Sequence, residues 1–152
     1  MGIAALERTI EGLSCKTAVH ICYGDGIEAN IRWKETLGAE WRQYEAIFPA
    51  LNASKIGQVS LECAGSHVPM SLIGLLKHKE IMVGVIDVAA REVESPDRVA
   101  AVIRAAMEHA DAERIIPCTN CGMAPLPKSL AADKLRALGA GAALMRAEIG
   151  QG

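Results

Sequence analysis

Aromatic residues are scarce in this 152-residue chain, with one Phe, two Trp and two Tyr. A core built without them must be aliphatic, and such cores suit layers of short strands and helices. No apolar run approaches the roughly 18–20 residues that a membrane span requires, and the N-terminus lacks the charged-then-apolar pattern of a secretion signal. Those two absences lead us to expect a cytoplasmic protein that does not engage the membrane. Basic residues form no stripe and do not alternate with aromatics, and the formal net charge is −2. Nucleic acid is therefore not an expected partner. Gly24-x-Gly26 lacks the third glycine of a dinucleotide-binding loop, which speaks against a nucleotide-binding doubly wound fold. The five cysteines are odd in number and irregularly spaced, so reduced thiols in the core or on a metal fit better than a disulfide framework.

What is present reads as four strand-then-helix units in a single domain spanning residues 1–152. Cys15–Cys22 is short and β-rich and runs into the turn-forming Tyr23-Gly24-Asp25-Gly26. Trp33, Leu37, Trp41, Tyr44 and Phe48 recur at helical spacing and predict one helix over Trp33–Leu51. Ile56–Cys63 alternates as a strand, and Pro69–Lys77 fits a short helix. Ile81–Val88 is a nearly unbroken aliphatic run, the mark of a parallel strand covered on both faces. Ser95-Pro96-Asp97 has the N-cap, first-turn proline and early acid that open a helix. Val99, Val102, Ile103, Ala106 and Met107 lie on one side of it. Arg114–Cys118 reads as the fourth strand and Ser129–Glu148 as a long helix. Alternating strands and helices imply an α/β fold of parallel βα units, either an open sheet or half of a (β/α)8 barrel.

Chemistry in such folds sits at the C-terminal ends of strands. Those ends carry His20 and Cys22, Glu62 and Cys63, Asp87, and Cys118 and Cys121. His20 and Cys22, two apart on a strand, project to the same face, and a glutamate and a further cysteine could complete a four-coordinate site. An imidazole, two thiolates and a carboxylate suit zinc and leave a formal charge of about −1. That charge favours a nucleophilic bound thiolate over a strongly Lewis-acidic centre. Each motif also has a plainer reading. A histidine beside a cysteine on a strand is often core. Cys118-x-x-Cys121 could be a redox pair or half of a zinc knuckle, although a second CxxC is missing. Asp87 could cap a turn. Cys15 and Cys63 are expected to be buried thiols, and His67, His78 and His109 ordinary surface or loop residues.

Taken in order, Val-His20-Ile-Cys22-Tyr-Gly, Gln58-Val-Ser-Leu-Glu62-Cys, Gly84-Val-Ile-Asp87-Val with Val93-Glu-Ser-Pro96, and Pro117-Cys-Thr-Asn-Cys121-Gly-Met resemble the zinc-binding segments of the cobalamin-independent methionine synthases. The resemblance runs from about residue 15 to residue 147. It implies the second half of a (β/α)8 TIM-type barrel, with His20, Cys22, Glu62 and Cys121 as zinc ligands and Cys118 as a neighbour. It also implies methyl transfer to the thiol of homocysteine, giving methionine, with Asp87 near the substrate. Ala89 stands where longer members carry a histidine that serves a folate leaving group, so the methyl donor could be a methylated folate or a methyl-corrinoid. Asn120 replaces the usual aspartate before the last ligand. A full barrel needs about 200 residues or more, and the elements that grip the amino acid lie upstream of the matching segments. A homodimer, or pairing with a second half-barrel chain, would cover the two open sheet edges. Two alternatives are a non-catalytic zinc- or thiol-binding half-barrel and a related barrel acting on another thiol such as coenzyme M.

Overall fold

A computed structural model describes residues 2–24 and 28–150. Four parallel strands form one sheet in the order β1 (Ala18–Ile21), β2 (Gln58–Glu62), β3 (Glu80–Ile86) and β4 (Ile115–Thr119). Each strand lies beside its sequence neighbours. A doubly wound sheet reverses its strand order partway across, whereas sequential order is the rule of a β/α barrel. The architecture is half of a (β/α)8 barrel.

The strands form where aliphatic residues cluster. Val59 and Leu61 of β2 and Ile81, Val83 and Val85 of β3 are fully buried, each contributing about 1.5–3 kcal/mol by leaving water. Helix α4 (Pro96–Met107) covers that layer with Val99, Ile103 and Ala106. It starts where the cap signal lies, since the Ser95 hydroxyl accepts from Arg98 N–H at 3.2 Å and Pro96 occupies the first turn. The long helix α5 (Lys128–Ile149) packs against α4. Contact is closest at Gly141, where a Cβ would lie 2.4 Å from Val99 Cγ1 and 2.8 Å from Pro96 O. A Cβ at Gly139, two residues earlier, would meet nothing within 4 Å. Gly139→Ala is therefore expected to stabilise the chain by about 0.5–1 kcal/mol. Gly141→Ala is expected to destabilise it by about 1–3 kcal/mol. Urea unfolding of the two variants checks the opposite signs.

The stretch between β1 and β2 departs from the single helix that its periodicity predicts. It holds α2 (Glu28–Lys34), a 3-10 turn over Gln43–Ala46 and α3 (Phe48–Ala53). The Thr36 hydroxyl ties back to Trp33 O at 2.7 Å, Gly38 takes φ +79°, and Pro49 falls in the first turn of α3. Each of these ends or restarts a helix. The aromatic spacing instead reports a shared packing surface. Tyr23 lies 5.5 Å from Trp33, 5.0 Å from Trp41 and 4.8 Å from Tyr44, and Tyr44 stacks 5.4 Å from Phe48. All five aromatic residues of the chain join this one cluster.

Smaller corrections follow the same pattern. Pro69–Lys77 is a 3-10 segment over Met70–Leu75 rather than an α-helix. A helix that the sequence reading does not assign, α1 (Gly2–Thr9), packs Ile3 and Leu6 against the core. Cys15 is exposed, not buried, because β1 begins only at Ala18. Of the turn after β1, Asp25 and Gly26 lie outside the described residues. No described helix is long and apolar enough to cross a membrane.

Candidate metal centre

The parallel register places His20 beside Ser60, Ser60 beside Met82 and Met82 beside Ile116. One row further along come Glu62, Gly84 and Cys118. His20 and Cys22 stand at the C-terminal end of β1, and Cys121 lies in the loop after β4. On a flat sheet, strands three places apart would be separated by about 14 Å. Yet Cys22 Sγ and Cys121 Sγ lie 3.9 Å apart, so the sheet curls and the loop after β4 reaches back across its mouth.

The ligand atoms of His20, Cys22 and Cys121 all lie within 4.8 Å of one another. Two metal–sulfur bonds of about 2.3 Å in a tetrahedral centre put the sulfurs about 3.8 Å apart. The observed separation fits that arrangement and is far too long for a disulfide. The donor set of one imidazole and two thiols suits a borderline-to-soft divalent metal. Burial, with Cys121 and Glu62 nearby, raises the Cys22 thiol above its ordinary value, against the opposing effect of a hydrogen bond with the Gly24 backbone. A cation is what would allow thiolates to form together at such a site.

Glu62 is buried at the end of β2. Its Oε1 accepts from Tyr23 N–H at 2.6 Å and from the Tyr44 hydroxyl at 3.2 Å, which holds the carboxylate against the aromatic cluster. It is not one of the three groups whose ligand atoms converge. Burial and the Glu62 charge push the Tyr44 phenol well above its usual range, so it stays a donor. Cys118 is also outside the convergent group; its Sγ lies 4.0 Å from Ser60 Oγ. Cys63 packs against the core, where burial pushes its thiol up to about 12.

Asp87 sits just past β3. Its Oδ1 accepts from Ala89 N–H at 2.9 Å and from Asn120 Nδ2 at 3.3 Å, so it does cap a turn at the mouth of the half-barrel. Asn120 also donates to Ala64 O at 2.8 Å, and its Oδ1 accepts from Val88 N–H at 3.0 Å. An ionised aspartate at position 120 would have no proton for the two acceptors, so the amide is the group that fits.

A buried ion pair supports this loop from behind. Lys134 of α5 is wholly buried, with Nζ at 3.1 and 3.0 Å from the Glu94 oxygens, 3.0 Å from Asp87 O and 2.6 Å from Glu92 O. Glu94 Oε1 also accepts from Asp87 N–H at 2.9 Å. Ser60, Tyr23, Tyr44 and the Glu94–Lys134 pair are the site residues that sequence reasoning missed. Only Ser60 carried a usable signal, lying two residues before Glu62 on one strand face.

Fold and site together define a parallel β/α barrel protein with a cysteine–histidine centre, suited to a metal, at the C-terminal face of its strands. A family model of the cobalamin-independent synthase catalytic domain matches residues 39–143. The chain belongs to that family. It is 56% identical to a B12-independent methionine synthase from Shewanella sp. W3-18-1, solved in complex with selenomethionine. That match has a TM-score of 0.92 and covers 97% of this chain and 43% of the other. The methionine synthase of Thermococcus kodakarensis is 27% identical over 98% of this chain and 39% of its own length. That of Sulfolobus acidocaldarius is 28% identical over 97% and 38%. The chain thus spans about two-fifths of the length of these relatives.

Proposed function

We propose that this chain carries the zinc centre of a methionine-synthase-type barrel and binds the thiol of homocysteine there for methylation. The observation that carries this reading is the convergence of His20, Cys22 and Cys121 within 4.8 Å at the strand ends. His20, Cys22, Glu62 and Cys121 are the proposed ligands. Zinc, when bound, stabilises a substrate thiol as thiolate at neutral pH. The residues of the chain supply the rest. Two cysteine sulfurs and the Glu62 carboxylate keep the centre electron-rich, so that a bound sulfur retains its nucleophilicity. Tyr23 N–H and Tyr44 O–H fix Glu62 Oε1. Asp87, pinned through Oδ1 by Ala89 and Asn120, is the residue assigned in this reading to the neighbourhood of the substrate. The methyl donor is a methylated folate or a methyl-corrinoid, and Ala89 offers neither donor a proton.

Residues 1–152 are proposed to act as one cytoplasmic unit, the C-terminal half of such a barrel. Among the described residues β1 and β4 each pair on one side only. A second copy or a complementary half-barrel is the expected partner for those edges. The alternative reading is a thiol-binding half-barrel without transfer.

The test is titration of the zinc-loaded chain with homocysteine, with homoserine as the thiol-free control and coenzyme M as the competing thiol. Homocysteine is expected to bind with release of about one proton per site, and homoserine is expected not to bind. Homocysteine failing to bind overturns the proposal. Methionine formed on addition of either donor separates transfer from binding alone.

A further inference from the structure

His20 poses a positioning problem. It is exposed, and it sits on a strand at the edge of the sheet. A metal-binding imidazole must be held in one ring orientation and one tautomer, and the partner of its other nitrogen sets both. Among the described residues the ring has one hydrogen-bond partner, the Ser60 hydroxyl, with Nδ1 to Oγ at 2.9 Å. Ser60 is His20's direct register partner on β2 and is only 8% exposed. Its Oγ in turn lies 4.0 Å from Cys118 Sγ.

A serine hydroxyl has one proton to give and lone pairs to accept with. If Nδ1 carries the imidazole proton, it donates to Ser60 Oγ, and the Ser60 proton is left to point at Cys118. Nε2 then has its lone pair free. The reverse arrangement, with Ser60 donating to Nδ1, would put the ring proton on Nε2 and leave neither nitrogen open to a metal.

We propose that Ser60 is a positioning residue for the metal centre. Its hydroxyl accepts from His20 Nδ1–H and holds Nε2 open for the ion shared with Cys22 and Cys121, while Cys118 Sγ accepts the hydrogen bond that the Ser60 hydroxyl donates. The inference rests on the metal-binding reading above, and it gives the two cysteines of the C-x-x-C segment separate roles. Cys121 ligates, and Cys118 steadies the residue that orients the histidine.

The experiment compares zinc affinity, by chelator competition, in the full chain and in its Ser60→Ala and Ser60→Thr variants. Ring-nitrogen NMR of His20 in the zinc-loaded chain accompanies it. Ser60→Ala is expected to weaken zinc binding by about 10–100-fold. Ser60→Thr, which keeps the hydroxyl, is expected to restore affinity to within a few-fold, and NMR should show a proton on Nδ1 with Nε2 ligated. Ser60→Ala binding zinc as tightly as the parent chain would overturn the role of Ser60 and leave the metal centre standing. A metal on Nδ1 would overturn it too, whether or not the alanine variant folds. A parent chain that takes up no zinc would overturn the metal reading and this inference together.

Discussion

Cys121→Ser is expected to weaken zinc binding by more than about 100-fold, beyond the range typical of losing an outer partner, while Cys118→Ser stays within a few-fold of the parent. The two cysteines are three residues apart, and the geometry separates them completely. Cys121 Sγ lies 3.9 Å from Cys22 Sγ and within 4.8 Å of the His20 ligand atom. Cys118 is paired in register with Gly84 and has its sulfur beside Ser60 instead. The Thr119 hydroxyl donates to Cys121 O at 2.8 Å and closes the loop that carries the ligand. Serine at 118 still offers an oxygen to Ser60, whereas serine at 121 removes a thiolate from the centre.

Zinc per chain and competition with a chromogenic chelator read both effects. The parent affinity is expected to rise with pH, because each thiol must lose its proton to bind. The raised Cys22 thiol extends that rise to higher pH, since it remains protonated in the metal-free chain above the ordinary thiol range. Loss of metal in Cys118→Ser with retention in Cys121→Ser would reverse the assignment at the fourth strand.

The second large effect lies behind the site. Lys134→Met is expected to cost about 3–5 kcal/mol, because it strands the Glu94 carboxylate in the interior without its cation. Side-chain exposures of 0% for Lys134 and 6% for Glu94 leave no room for water to compensate. For a chain of this length, that corresponds to a fall in Tm of roughly 6–20 °C. A double change, Lys134→Met with Glu94→Leu, should recover part of the loss by removing the stranded charge. Recovery is incomplete because Asp87 N–H, Asp87 O and Glu92 O would still lack their partners. Thermal and urea unfolding read both, and a cost below about 1 kcal/mol for the single change would show that Glu94 is solvated in spite of its burial.

Local signals in the chain were legible wherever one segment contains all the physics. Ser95-Pro96-Asp97 opens α4 because a cap, a fixed φ and an early acid act within one turn. The aliphatic run of β3 after Glu80 reads as a covered strand because Ile81–Ile86 carries no polar side chain on either face. The stretch 33–51 misled because aromatic spacing reports a shared packing surface, and three short segments broken at Thr36, Gly38 and Pro49 satisfy it as well as one helix would.

The sequence by itself determined the α/β class, the four strand positions and the pairing of His20 with Cys22, since two residues apart on a strand must share a face. Residue spacing left open which thiol of Cys118-x-x-Cys121 meets Cys22, and the family resemblance implied Cys121; the tertiary structure brings that sulfur to 3.9 Å from Cys22, 99 residues away in the chain. It alone set Glu62 against Tyr23 and Tyr44, placed Ser60 on His20 and buried Lys134 with Glu94. Those relations depend on the curl of the sheet and the path of the loop after β4, and the packing of the whole half-barrel sets both.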